Sequence, residues 1–261
     1  MRKKIFLFFL CFSIISLLST SAFSNTYLGN TPLGLDFISS TVTEGPYGSL
    51  MVMSPGTGKH GDKSIGSGFS YIKNESLKFY QFPFSVSYTF IDGLDLSLGL
   101  PVSDMTNVKT GFGDLFLGGK YKLNNDFFKS AVSLGLVLPT GADRLTGSNN
   151  KTDILLDLPV EKEFEYCILN LNTGIAFVDV NADNDQKIIK LAAAVSRSIN
   201  KKIGVSIEMM YQDSKMFSSL LTGCGLKYTL DNASSITGLL AKDLHSSGLD
   251  ILFSLGYSQS F

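Results

Sequence analysis

From Ile65 to the last residue, apolar side chains recur at every second position. Phe82, Phe84, Val86, Tyr88 and Phe90 alternate with Pro83, Ser85, Ser87 and Thr89. Leu94, Leu96, Leu98 and Leu100 alternate with Asp95, Ser97, Gly99 and Pro101. The same two-residue period runs through Leu115–Leu123, Asp153–Glu161, Ile203–Gln212 and Leu249–Phe261. A period of two places one set of side chains on each face of a strand, whereas a helix would mix the sets. Each predicted strand therefore has one greasy face and one small or polar face.

The connections alternate in length. Tight polar turns are predicted at Ile91-Asp92-Gly93, Asn124-Asn125-Asp126, around Phe164, at Asn200-Lys201 and at Asp231-Asn232. Longer connections lie between them, notably Ser103 to Phe112 and Gly141 to Asn150. Short turns at one end and longer loops at the other suit a membrane barrel. Five tight turns require ten strands. A first strand near Ile65–Lys73 and a last one ending at Phe261 make twelve. The expected fold is all-β: a transmembrane antiparallel up-and-down β-barrel of about 12 strands. An extra hairpin within the irregular, Pro- and Gly-broken segment 25–64 would make 14, or that segment is tucked into the lumen.

The N-terminus reads as an export signal. Arg2, Lys3 and Lys4 precede an apolar run from Ile5 to Leu18, and Ala22-Phe23-Ser24 suits a signal peptidase. The expected organisation is a signal peptide over 1–24, the irregular segment 25–64 and a barrel over 65–261. A retained N-terminal anchor is the alternative. Without its first 24 residues the chain has 19 basic and 23 acidic side chains, a net charge of −4. That offers no basic patch for nucleic acid. No later apolar run reaches the roughly 18 residues of a spanning helix. Yet hydrophobic residues make up 44% of the chain, with 20 Phe. Apolarity without helical spans is what a barrel facing lipid needs. Cys11 leaves with the signal. Cys167 and Cys224 are read as small lipid-facing residues on strands that are not neighbours.

The final strand, closing on Phe261, resembles the C-terminal insertion signal of bacterial outer-membrane barrels, with Gln259 departing from the usual apolar residue. The resemblance implies recognition by the barrel-insertion machinery. A second resemblance lies in Thr110-Gly-Phe-Gly-Asp-Leu-Phe-Leu-Gly-Gly-Lys-Tyr-Lys-Leu123, followed by Leu134-Gly-Leu-Val-Leu-Pro-Thr-Gly-Ala-Asp143. This pattern resembles the transporter-like outer-membrane family associated with the phenol meta-degradation pathway. It is sharp over about thirty residues and diffuse elsewhere. It implies a channel class and no particular ligand. Physics also gives these glycines a structural role, in loop reversal and in relief of crowding in a closing sheet.

If the greasy faces meet lipid, Asp95, Asp114, Lys120, Asp157, Glu161, Lys190, Glu208 and Lys227 point into the lumen with Asn170 and Asn172. Buried charges of both signs must be paired or hydrated. One reading is a salt-bridged plug that rigidifies the barrel. The other is a hydrated path whose charges select the solute. The small inward residues Gly99, Ser133, Gly135, Ala192, Ala194, Gly223 and Gly225 favour a path. Phe116, Leu155, Leu221 and Leu252 share the inward register and suit a hydrophobic or aromatic solute, or serve as filler. Phe79, Tyr80, Phe90, Tyr121, Phe127, Phe128, Tyr211, Phe217 and Tyr228 are expected as interface anchors.

Other motifs are weak. Gly56–Ser64 looks like a phosphate loop, but Asp62 interrupts its ending. Two histidines, His60 and His245, make no metal cluster, and no cofactor is expected. Asp243, His245 and Ser246 adjoin in sequence, yet neighbours on a strand point to opposite faces, so catalysis is not expected. The expected function is passive passage of a small solute through the outer membrane of a Gram-negative bacterium, with the lipid as surroundings. A closed structural or surface-interaction barrel, a barrel enzyme and a soluble β-sandwich are the rivals.

Overall fold

The computed structural model describes residues 51–74, 77–105, 110–123, 127–141, 152–178, 186–213, 218–244 and 251–261. Residues 1–24, expected as a signal peptide, residues 25–50, the turn at 124–126, Phe217 and His245 lie outside the described residues.

The strands are β1 (Lys63–Asn74), β2 (Leu77–Ile91), β3 (Leu94–Met105), β4 (Gly111–Phe112), β5 (Leu115–Leu123), β6 (Lys129–Leu138), β7 (Asp153–Glu163), β8 (Ile168–Val178), β9 (Gln186–Ser198), β10 (Ile203–Asp213), β11 (Ser218–Thr229), β12 (Ser234–Asp243) and β13 (Ile251–Ser260). Each pairs antiparallel with its sequence neighbour, except that β4 and β5 do not pair with each other and both pair with β3. β1 also pairs with β13, from Ser64↔Ser260 to Lys73↔Ile251, which closes the sheet. The two-residue β4 continues the line of β5 beside the upper part of β3, where Val102 faces Phe112. The barrel thus has twelve staves, one of them broken at Gly113–Asp114. The spacing predicts a loop over Ser103–Phe112, but β3 runs to Met105 and β4 adds a second short piece.

The alternation places apolar residues outside. In β10, Gly204, Ser206, Glu208, Met210 and Gln212 are buried while Ile207 is exposed. Leu240 is 59% exposed and Phe84 54%, among some thirty large apolar side chains on the outer surface. A soluble sheet would reverse this, so the polarity is that of a barrel in lipid. Among the described residues, closure leaves no strand other than the short β4 without a partner on both sides of the sheet, which a hydrocarbon solvent requires.

The tight turns form as their residues dictate. Gly93 takes φ +87°, and its carbonyl accepts from Lys122 N–H at 2.8 Å. Asn200 Oδ1 accepts from the N–H groups of Lys202 and Ile203. Asp231 Oδ1 does the same for Ala233 and Ser234. The Ser234 hydroxyl, then these backbone bonds, hold the Asp231 carboxyl below its usual pKa.

Three expectations need correction. Cys167 sits in the turn before β8, which begins at Ile168, and its carbonyl accepts from Phe164 N–H at 2.8 Å. Cys224 does face outward, and both cysteines are free. Phe79 is no interface anchor; it is buried inside the barrel, while the adjacent Tyr80 takes the outer face. Asp114 is not on the lumen wall. It lies in the break between β4 and β5 at the loop end, with Oδ1 accepting from Gly141 N–H at 2.9 Å. Thr140 Oγ1 accepts from Leu115 N–H at 2.9 Å. The two halves of the motif singled out in the sequence are therefore clasped together at the rim.

Candidate functional site: the lumen and its strap

Antiparallel register links the inward side chains into rows that climb around the wall. One row runs Thr89, Asp95, Lys120, Ser133, Asp157, Gly174, Lys190, Gln212. Another runs Lys129, Glu161, Asn170, Ala194, Glu208, Gly223, Ala241, Leu252, Ile72, Phe79. The second row begins charged near the turn end and finishes apolar near the loop end.

Within these rows the charges are mostly paired. Lys190 Nζ donates to Asp157 Oδ2 at 2.9 Å, with side chains 6% and 3% exposed. Gly174 stands between them in the row and has no Cβ to block the reach; one built there would lie 3.2 Å from Asp157 Cγ. Glu161 accepts from Lys129 Nζ at 3.0 Å and from Asn170 Nδ2 at 3.2 Å. Lys129 also pairs with Glu163. Lys120 Nζ stands 3.9 Å from Asp95 Oδ2. Lys227 is half-buried at the turn end and is likewise engaged.

Residues 51–58 form a strap inside the barrel, held by side chains of four strands. Met51 N–H donates to Glu208 Oε2 at 2.7 Å, and Ser206 Oγ donates to Glu208 Oε1 at 2.7 Å. The Asn172 amide, oriented to suit its neighbours, accepts from Met53 N–H at 3.1 Å and donates to Met53 O at 3.2 Å. Lys120 Nζ donates to Ser54 O at 3.3 Å. Gly58 N–H donates to Asp95 Oδ1 at 3.2 Å, which also accepts the Thr89 hydroxyl at 2.8 Å. Only glycine fits at 58, since a Cβ there would lie 2.3 Å from Thr89 Oγ1. Below the strap, the chain is sewn to the rim: His60 N–H reaches Asp92 Oδ1, and His60 Nδ1 donates to Phe90 O at 2.7 Å.

Of the eight charged residues read as lumen residues, three (Asp95, Lys120 and Glu208) bind the strap. Asp157, Glu161 and Lys190 pair among the wall residues, Lys227 lines the turn end, and Asp114 is at the rim. The strap's contribution and Asn172's part in it were missed as a site.

The strap divides the turn end of the lumen. On one side a cavity of about 450 Å³ lies between Met53, Ser54 and Gly56 and a wall of small residues that includes Ser64, Ser85, Ser87, Ser97, Ser235 and Ser258. On the other, a cavity of about 370 Å³ lies between Ser54 and Gly56 and a wall that includes Lys129, Glu161 and Ser198. The Phe116 ring lies along the wall of the first cavity over Gly118 and Gly135, where a Cβ would come within 2.8 and 2.6 Å of it. Toward the loop end one side of the lumen carries an apolar patch, where Met51 and Val52 cluster with Ile72, Phe79, Met210, Leu221, Leu239 and Leu252, while Gln81, Asp153, Lys190, Gln212 and Asp243 are buried polar residues of the same half.

A family model described as "Putative MetA-pathway of phenol degradation" matches residues 18–261. The chain belongs to that family. No curated protein matches it. Among solved structures, an outer-membrane channel from Pseudomonas putida F1 superposes with a TM-score of 0.63 at 15% identity, covering 84% of this chain and 100% of that one. The KdgM porin in complex with disordered oligogalacturonate gives 0.58 at 13% identity, covering 76% and 99%. The NanC porin gives 0.58 at 10% identity, covering 75% and 98%. At such identities the likeness is one of fold: this family member has the barrel architecture of outer-membrane channels and porins.

Proposed function

We propose that the protein is an outer-membrane channel that passes a small solute down its gradient, and that residues 51–58 hold it closed in the described state. The observation that carries this reading is the strap itself. It divides cavities of about 450 and 370 Å³, and it is tied mainly by side chains of the wall to its own backbone groups. A wall built only for rigidity would fill that space with large side chains, as packed interiors do. Instead, serines and glycines leave it open. The names of the similar structures, a channel and two porins, support the same class. Solute chemistry, hydrophobic or aromatic, is suggested by the apolar patch in the loop half of the lumen.

Residues 1–24 are the export signal, the segment 25–64 contains the strap, and the barrel over 65–261 sits in the outer membrane of a Gram-negative bacterium. Phe261 lies at the closing seam, its N–H donating to Lys63 O at 2.8 Å. That position suits a handle for the insertion machinery. Asp95, Lys120 and Glu208 act as strap holders. Asp157, Glu161, Lys190 and Lys227 set the charge of the wall. Asp114 belongs to the rim clasp. No step in this work calls for catalysis or a cofactor.

One observation favours a second reading, a closed structural barrel: the buried Asp157–Lys190 pair braces the wall across Gly174. Planar-bilayer recording of the refolded mature chain separates the two. Discrete, brief conductance steps are expected. Silence from a barrel that folds correctly would overturn the channel reading.

A further inference from the structure

We propose that the apolar patch on one side of the loop half of the lumen is a binding site for a small uncharged apolar solute, and that Met51 and Val52 occupy the solute's place when none is bound. The inference rests on the channel reading and adds the site and the means of opening.

A barrel lumen that meets water is ordinarily polar. Here one inward row turns apolar toward the loop end, while the other ends on Lys190 and Gln212. Met210 and Leu252 are fully buried, Leu239 is nearly so, and Ile72, Phe79 and Leu221 complete an apolar patch on the side of the wall formed by β10–β13, β1 and β2. The side chains that cover the patch come from the strap, not from the wall: Met51 and Val52 are 2% and 1% exposed against it.

The way the strap is held makes this occupancy exchangeable. The ties at Met51, Met53, Ser54 and Gly58 use main-chain N–H and C=O groups. The Met51 and Val52 side chains contribute apolar contact alone. If the strap left and water entered, the patch would lose its burial, so the lumen resists opening to water and ions. If an apolar molecule entered as the strap left, apolar would replace apolar and the burial would be kept. Exchanges that conserve volume are tolerated best, which sets the solute at roughly seven non-hydrogen atoms, the combined size of a Met and a Val side chain. The solute thus competes with a segment of the protein's own chain.

Hydrogen exchange of the full mature chain in lipid nanodiscs tests this, with methylcyclohexane as probe and glucose as the polar control. The amides of 51–58 should exchange at least tenfold faster with methylcyclohexane, while those of Ile203–Asp213 and the glucose sample stay unchanged. Leu239→Asn should abolish the response, and Met51→Ala should shift it to lower probe concentration. No acceleration at saturating probe, or equal acceleration of strand amides, would overturn the proposal. So would the same effect from glucose. The two readings fail separately. Conductance steps with no response of the strap leave a channel without this site. A responding strap in a barrel that never conducts leaves the site and removes the channel.

Discussion

Replacing Lys190 with Met removes one partner of an ion pair buried in the lumen wall. At 2.9 Å and an effective dielectric constant of about 20, the Coulomb attraction is about 6 kcal/mol. Desolvating the two groups costs several kcal/mol per ion, so the pair's net worth is small. Losing one partner is different, because the other charge stays buried alone. Asp157 Oδ1 already has no hydrogen-bond partner among the described residues, so a bare carboxylate there has little to lean on. The expected cost of Lys190→Met, or of Asp157→Leu, is about 3–5 kcal/mol. The double variant should return to within about 1 kcal/mol of the parent or exceed its stability. Urea unfolding in lipid vesicles, followed by the gel shift of the folded barrel and extrapolated linearly, measures all four corners of the cycle. Single variants that each cost under about 1 kcal/mol would refute the reasoning. They would mean that water reaches the pair and that this part of the wall is a hydrated path.

Gly174→Val should lower stability by about 1–3 kcal/mol, since its side chain would press on Leu156 O and Asp157 between the paired charges; adding Asp157→Leu/Lys190→Met should recover part of the loss in the same urea assay. Asp114→Ala should speed exchange of the Gly141 amide, read by hydrogen-exchange mass spectrometry, and leave channel conductance unchanged, as expected of a rim clasp. Asp231 has a lowered folded pKa, so its stabilisation of the β11–β12 turn is present above the unfolded carboxylate value near 3.8 and is lost as pH falls through the folded value. Amide exchange at Ala233 and Ser234, corrected for intrinsic pH dependence, should rise only below about pH 4.

The barrel was legible because its signal is repeated in every strand. Alternation is local, and the face that carries Phe82, Phe84 and Val86 needs no partner to be recognised. The polar side of the lumen followed from the same rule. The apolar patch did not, and its residues show why. Ile72 follows Tyr71, Phe79 precedes Tyr80, and Met210 follows Met209; Leu221 and Leu239 belong to Leu-Leu pairs, and Leu252 follows Ile251. In each doublet one residue faces lipid and the other the lumen, so the pattern reads as a greasy strand with blurred phase. Only Leu221 and Leu252 were assigned inward; Phe79 was put at the interface. The strap was harder still. Met51-Val-Met-Ser-Pro-Gly-Thr-Gly58 has no period. Its ties join it to Asp95, Lys120, Asn172 and Glu208, contacts that exist only once the sheet has closed. Asp114 was misassigned because the alternation of β5 was extended backwards through a break that Gly113 makes, its N–H donating to Pro101 O at 2.8 Å.

The most direct test of a lumen closed by its own strap is the open probability of the Glu208→Ala barrel against the parent in planar bilayers. Glu208 is 1% exposed and its carboxylate accepts the Met51 N–H. A charged hydrogen bond of about 1.5–3 kcal/mol should translate into a roughly 10- to 150-fold rise in the open-to-closed ratio. Glu208→Gln, which keeps an acceptor, should rise less. A parent that stands open throughout, or a variant whose closed times match the parent's, would contradict the account.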